Sequence, residues 1–237
     1  MLRKIDVNLW VAEQPLKFWQ FEVGTRMTIV RLKNGNLIVF SPIQVDEETI
    51  QQIDEIGKVS YIIIPNLYHH LFVAEFQAIY PEAQLWTVPG LELKRPDLKS
   101  DRILNKDEAS IWDEIEYLFF EGFQAIVDFS GFSTVNEFIF FHKESRTLII
   151  TDTSLNLDET FTLKTQLIGR AIGSYKTLRP SLLEKIATKE KELVKDSVEK
   201  ILNWDFERVI MAHGTIVESD GKEKFKRGYE WFLGMTL

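Results

Sequence analysis

Half of the four histidines in this chain stand side by side, at His69 and His70. They follow Ile62-Ile63-Ile64, a β-branched apolar run that reads as a buried strand. Pro65 and Asn66 stop that strand, and a helical pattern begins at Leu71. Both imidazoles therefore sit on a strand-to-helix loop, where open α/β sheets hold their ligands. Two readings fit: a metal or acid–base site, or two histidines at a helix start, one packed and one solvated. Two further strand ends carry similar groups. Residues 147–151 run into Asp152, and residues 208–211 run through Ala212 into His213. A hard or borderline cation needs three or four N or O ligands from rigid elements. Taken singly, an Asp after a strand is usually a turn or cap residue. The shared position at strand ends is what groups the three sites. Glu137, at the start of an apolar strand, is a further candidate, as a ligand or as a hydrogen-bonded buried carboxylate.

The elements that must position these groups are legible as patterns. Residues 5–12 alternate apolar and polar, as a half-buried strand does. Strands follow over 18–23, 26–32 and 37–40, the last two joined by Asn34-Gly35, a strong hairpin signal. Asp46 or a neighbour is placed to cap a helix over 47–56, and Gly57 fits its C-terminal cap. Next come a strand over 59–64, a helix over 71–80 ended by Pro81, and a strand over 84–88. That alternation implies parallel pairing. Residues 91–110 read as charged loop, with weak helix at 91–94. The second half offers strands over 115–121 and 123–129, a loop over 131–135, and strands over 137–142, 147–151 and 208–212. Helices are expected over 165–175, 181–187, 190–202 and 221–232. The stripe Phe225, Tyr229, Phe232 has helical spacing and reads as core. Two β-rich halves, each followed by helices, point to an α/β (α+β) fold: a four-layer αββα sandwich of two mixed β-sheets. Residues 1–237 are expected to form one domain.

Composition bounds the function. At 237 residues, with 45% hydrophobic and 27% charged residues, the chain can bury a sizeable core as a globular protein. The net charge of −8 and the lack of a basic run argue against nucleic-acid binding. There is no cysteine, so ligands must come from His, Asp or Glu. No apolar stretch reaches membrane-spanning length, and the start lacks the apolar run of a signal peptide. A cytoplasmic protein with a small-molecule substrate or ligand, no nucleic acid and no membrane is the expectation. Segment 153–182 carries Leu157, Phe161, Leu163, Leu167 and Leu178, too much apolar surface for a solvated loop. It packs on the core, covers the cleft, or makes a homodimer contact.

Three stretches carry a resemblance: Pro65-Asn66-Leu67-Tyr68-His69-His70-Leu71-Phe72, Ser145-Arg146-Thr147-Leu148-Ile149-Ile150-Thr151-Asp152, and residues 203–214 ending in Met211-Ala212-His213-Gly214. With their order in the chain, they resemble the DUF4336 family, a divergent branch of the metallo-β-lactamase (metallo-hydrolase/oxidoreductase) fold superfamily. The superfamily's main motif is His-x-His-x-Asp-His. Asn66 and Tyr68 fall where its first two histidines would be. With one loop residue missing, His69 takes the Asp position and His70 the final His position. Asp152 matches the bridging Asp and His213 the last His. The middle His has no counterpart, since Phe132 or Ser133 stands there, and Ser41 replaces an early Asp.

These departures are patterned. All three histidines of one superfamily metal site are missing, whereas the other site's positions read His69, His70, Asp152 and His213. The resemblance thus implies one metal ion, Zn²⁺ or Fe²⁺, held by three His and one Asp. It implies a single-metal hydrolase of unknown substrate, with His69 as ligand or general base and Tyr68 as hydrogen-bond donor to an oxyanion. The competing reading is a metal-free, non-catalytic binding or interaction module that keeps the fold.

Overall fold

The alternating first forty residues form an antiparallel meander. A computed structural model, describing residues 1–18, 21–128 and 131–237, pairs Arg3–Asp6 with Leu9–Gln14, then Leu9–Gln14 with Thr25–Arg31. Thr25–Arg31 in turn pairs with Asn36–Phe40. The one strand expected over 5–12 is two, because Asn8 adopts a left-handed φ of 53° and reverses the chain. The sheet then changes sense. Asn36–Phe40, Lys58–Ile63, Gln84–Thr87 and Arg102–Ile103 are parallel neighbours. Helices Glu47–Ile56 and Val73–Ile79 make the first two crossovers that parallel pairing requires. The Asp46 cap holds as expected, its Oδ1 accepting from Thr49 N at 2.9 Å. The result is a seven-stranded mixed sheet.

The second sheet has five strands in the order Ser110–Trp112, Ile115–Phe120, Glu137–His142, Thr147–Ile149 and Arg208–Ile210. Its pairs are antiparallel except the last, which is parallel. Side-chain alternation assigns the layers. Phe138, Phe140, Ile149 and Ile210 join the apolar cluster of the first sheet, which includes Phe40 and Ile63. Ile139, Phe141, Leu148 and Val209 point the other way, into a cluster with Val194, Val198, Phe225 and Tyr229. Those last four come from helices Lys191–Ile201 and Gly221–Leu233. Helix Glu47–Ile56 buries Ile53 on the far side of the first sheet. This is the αββα sandwich with two mixed sheets, each sheet burying both faces.

Several details differ from the sequence reading. The strand expected over 18–23 is a short hairpin of Lys17–Phe18 and Phe21–Glu22, with residues 19–20 outside the described residues. Gln124–Asp128 pairs with Gly131–Thr134, where a loop was expected, to form a separate ribbon. Phe129, of the expected 123–129 strand, lies outside the described residues, as does the side chain of Phe132. The stretch expected as loop over 91–110 carries strand Arg102–Ile103 and the start of Ser110–Trp112. The helix expected over 165–175 is Leu163–Ile172, stopped by Gly173 at φ 87°. Segment 153–182 divides its apolar residues: Leu157 and Leu178 are buried, whereas Leu163 and Leu167 on that helix are 77% and 65% exposed. Among the described residues no helix is long and apolar enough to cross a membrane.

Candidate metal centre

Two strand registers bring the candidate groups together. Thr147–Ile149 and Arg208–Ile210 run parallel with Ile149 opposite Ile210. Ile150 N donates to Ile210 O at 2.9 Å, so the pairing continues beyond the strands. Carried three residues further, that register sets Asp152 beside His213. From the other sheet, Lys58–Ile63 leads into Pro65, whose carbonyl accepts from Phe138 N at 2.8 Å. The loop after Pro65 is thereby fixed against the start of Glu137–His142.

Asn66 turns that loop. It is fully buried, and its Oδ1 accepts from Tyr68 N at 2.8 Å and His69 N at 3.1 Å. This side-chain-to-backbone turn directs His69 inward. The Asn66 amide nitrogen lies 2.7 Å from Asp152 Oδ2, 2.9 Å from Thr151 Oγ1 and 3.2 Å from Glu137 Oε2. Glu137 is also fully buried and is surrounded by donors. Oε1 accepts from Thr151 N (2.8 Å) and Thr153 Oγ1 (2.9 Å), and Oε2 also accepts from Asp152 N (2.8 Å). Glu137 therefore holds the Asp152 backbone and is not among the converging ligand atoms.

Among the described residues, His69, Asp152 and His213 form the one group that could hold a metal ion, their ligand atoms all within 4.8 Å of one another. His69 Nε2 is 3.4 Å from Asp152 Oδ1 and 3.3 Å from Oδ2. His213 Nε2 is 3.4 Å from Asp152 Oδ1. These separations exceed a good N–H···O bond, about 2.7–3.2 Å. They match the spacing of roughly 3.3–3.4 Å between ligand atoms around a tetrahedral ion with bonds near 2.0–2.1 Å. The third imidazole expected here does not join them. His70 Nδ1 lies 2.9 Å from Arg95 Nη1, and the His70 carbonyl accepts from the same nitrogen at 3.1 Å. His70 belongs to the next turn, and an arginine far along the chain has captured it. Tyr68 packs against Lys94, whose Nζ is 3.8 Å from the ring centre and donates to Leu67 O at 3.1 Å.

His213 carries a second informative contact. Its Nδ1 lies 2.5 Å from the Gly24 carbonyl oxygen, which can only accept. Nδ1 therefore carries a proton, and in the neutral ring Nε2 presents a lone pair to a carboxylate. Burial works to raise the Asp152 pKa, but His69, His213 and the Asn66 amide outweigh it and hold the carboxyl well below the usual range. Burial works to lower the pKa of His69, and Asp152 and Glu137 raise it. Burial lowers that of His213, with His69 adding to the effect against Asp152. Burial, with Lys94 and Arg95 close by, pushes His70 down to about 4. The site is thus a buried anion facing two imidazoles, one with its lone pair aimed at the anion. These three side chains could hold a metal ion.

Residues 6–173 match the family described as "Domain of unknown function (DUF4336)". The chain belongs to the DUF4336 family. No curated protein matches this DUF4336 chain by sequence. In structure it is similar to the DIM-1 metallo-β-lactamase, at 13% identity and a TM-score of 0.65 over 98% of this chain and 96% of that one. It is similar also to the FIM-1 metallo-β-lactamase of Pseudomonas aeruginosa in its mono-zinc form, at 12% identity and TM-score 0.65 over 99% and 94%. A third similar structure is the metal-soaked Flv1 flavodiiron core of Synechocystis sp. PCC6803, at 11% identity and TM-score 0.63, covering 99% of this chain and 60% of that one. At these identities the likeness establishes the metallo-β-lactamase fold.

Sequence reading did not single out Arg26, Glu13 or the Gly24 carbonyl, although all three bear on His213. A signal was present: Arg26 interrupts the otherwise uncharged stretch Thr25 to Val30, all of it buried. A charge in such a run needs a partner.

Proposed function

We propose that this DUF4336 protein binds one Zn²⁺ or Fe²⁺ through His69, Asp152 and His213, and is a single-metal hydrolase acting on a small molecule. The observation that carries the reading is the His213 imidazole: with Nδ1 donating to Gly24 O, its Nε2 lone pair faces Asp152 Oδ1 at 3.4 Å. A lone pair aimed at a carboxylate is repulsive unless a cation or proton lies between. When bound, the cation would supply Lewis acidity toward a carbonyl or phosphoryl oxygen and acidify a water molecule. In this reading Asp152 supplies the anionic ligand, and Glu137 and Asn66 keep it oriented. Tyr68 is assigned the phenolic donor to the developing oxyanion. The positions of the superfamily's first two histidines hold Asn66 and Tyr68, which supports one ion rather than two.

Metal analysis of purified protein, followed by zinc titration with and without chelator, tests the reading. Wild type should take up one equivalent and melt higher when loaded. An ion that binds only the folded state adds about 2.7 kcal/mol at a hundredfold excess over Kd. His213→Ala should lose both effects. Unchanged melting of wild type with zinc, iron or chelator, at zero metal content, would sink the proposal. A second reading, the metal-free binding module, is favoured by one observation. Asp152 raises the His69 pKa, so a proton on His69 also neutralises the pair at 3.3 Å. That reading expects the same melting curve under every metal condition.

A further inference from the structure

Arg26 lies in Thr25–Arg31, in the middle of the first sheet, and its side chain is only 7% exposed. Its Nη2 donates to Gly214 O at 2.7 Å, and its Nη1 donates to Met211 O. Those carbonyls flank His213, two residues before it and one after it. Nε donates to Glu13 Oε1 at 2.8 Å, across the register that pairs Glu13 with Arg26. The same Glu13 oxygen accepts from Arg3 at 2.9 Å. Two residues before Arg26, Gly24 supplies the carbonyl that fixes the His213 ring. One strand entry of the first sheet thus grips the His213 loop of the second sheet by its backbone on both sides and by its imidazole.

We infer that Arg26, held by Glu13, is the positioning residue for His213. It clamps the Met211 and Gly214 carbonyls so that the imidazole meets Gly24 O through Nδ1 and leaves Nε2 toward Asp152. The functional consequence rests on the proposed role of His213 as a ligand. A planar guanidinium suits this task because it donates in several fixed directions at once. A lysine ammonium is a single point and cannot span two carbonyls and a carboxylate. Groups that orient a ligating histidine typically contribute about 10–100-fold to metal affinity. Cross-sheet clamping also explains the buried arginine: its charge is met by Glu13 and two carbonyl dipoles.

The test uses two readouts on the full chain. Nitrogen-15 imidazole spectra of chelated protein report the His213 tautomer, and zinc competition reports affinity. Wild type should show the Nδ1–H form. Arg26→Lys should mix in the Nε2–H form and weaken zinc binding about 10–100-fold. Glu13→Gln, which keeps the guanidinium, should shift both readouts in the same direction by less, and serves if Arg26→Lys does not fold. Ser197→Ala, remote from the site, removes the hydroxyl that accepts from Glu121 N at 3.1 Å; it should lower the melting temperature and move neither readout. If wild type binds no zinc but the tautomer still changes in Arg26→Lys, the ligand reading fails and the clamp stands. A folded Arg26→Lys or Glu13→Gln with the wild-type His213 tautomer would overturn the inference.

Discussion

Glu137→Gln is the sharpest probe of the buried network, because the substitution changes charge and donors while keeping shape. Burial and the nearby Asp152 raise the Glu137 pKa, and hydrogen bonds from Thr151 and from the Asp152 backbone pull it back. Each carboxylate oxygen faces a backbone N–H that cannot reverse: Thr151 N at Oε1 and Asp152 N at Oε2, both at 2.8 Å. An amide must turn its NH₂ toward one of them. At the Oε2 position it would meet two donors, Asp152 N and Asn66 Nδ2. At the Oε1 position the Thr153 hydroxyl can rotate to accept, so only the Thr151 bond is lost. One bond to a charged group is worth about 1.5–3 kcal/mol, and the stranded N–H adds about 1–3. Relief of carboxylate desolvation offsets part of that sum. A net loss of about 2–4 kcal/mol is expected. Urea denaturation at pH 7 with chelator present measures it without a metal contribution. A loss below about 1 kcal/mol would refute the reasoning. It would mean the carboxyl is already protonated and donating to Thr153.

Two further outcomes follow from single positions. Gly214 has φ 92°, and a Cβ there would lie 2.3 Å from Asn156 O, a backbone atom. Gly214→Ala should cost on the order of 2–3 kcal/mol in denaturant and weaken zinc binding by shifting His213; wild-type stability would refute this. His142 is fully buried, with Nδ1 2.7 Å from Ser145 Oγ, and burial lowers its pKa. The unfolded chain then binds the proton more readily, so stability is full above the unfolded value of about 6.5 and is lost as pH falls through it. His142→Gln should flatten the decline in stability between pH 7.5 and 5.5; an identical slope would remove His142 from that account.

What sequence could reveal of the fold was whatever local chemistry decides. The Asn34-Gly35 hairpin, the Asp46 cap and the alternation of apolar runs with helical patterns all reappear where expected. Asn8, and the strands Ser110–Trp112 and Gly131–Thr134, were missed for two different reasons. A left-handed Asn inside an alternating run looks like a strand residue until φ is known. The strands Ser110–Trp112 and Gly131–Thr134 exist through pairing with Ile115–Phe120 and Gln124–Asp128, and their own patterns are weak.

The candidate site was legible to the extent that strand ends define it. Asp152 and His213 lie the same distance beyond two strands whose register offset is fixed at Ile149 opposite Ile210. A slip of one residue would turn one of these side chains to the other face of the sheet, so apolar patterning in the strands protects the pair. His69 and His70 could not be separated in this way. They are adjacent on a loop, and no period distinguishes them. Their fates are decided by Asn66 Oδ1, which accepts from the His69 N–H, and by Arg95, twenty-five residues beyond His70. Arg26 is the same case at longer range, since its partners Met211 and Gly214 are 185 and 188 residues away. Only the facing of the two sheets brings them together. A donor set assembled across two sheets thus shows its ligands in local sequence, while the groups that aim those ligands appear only once the sheets are docked.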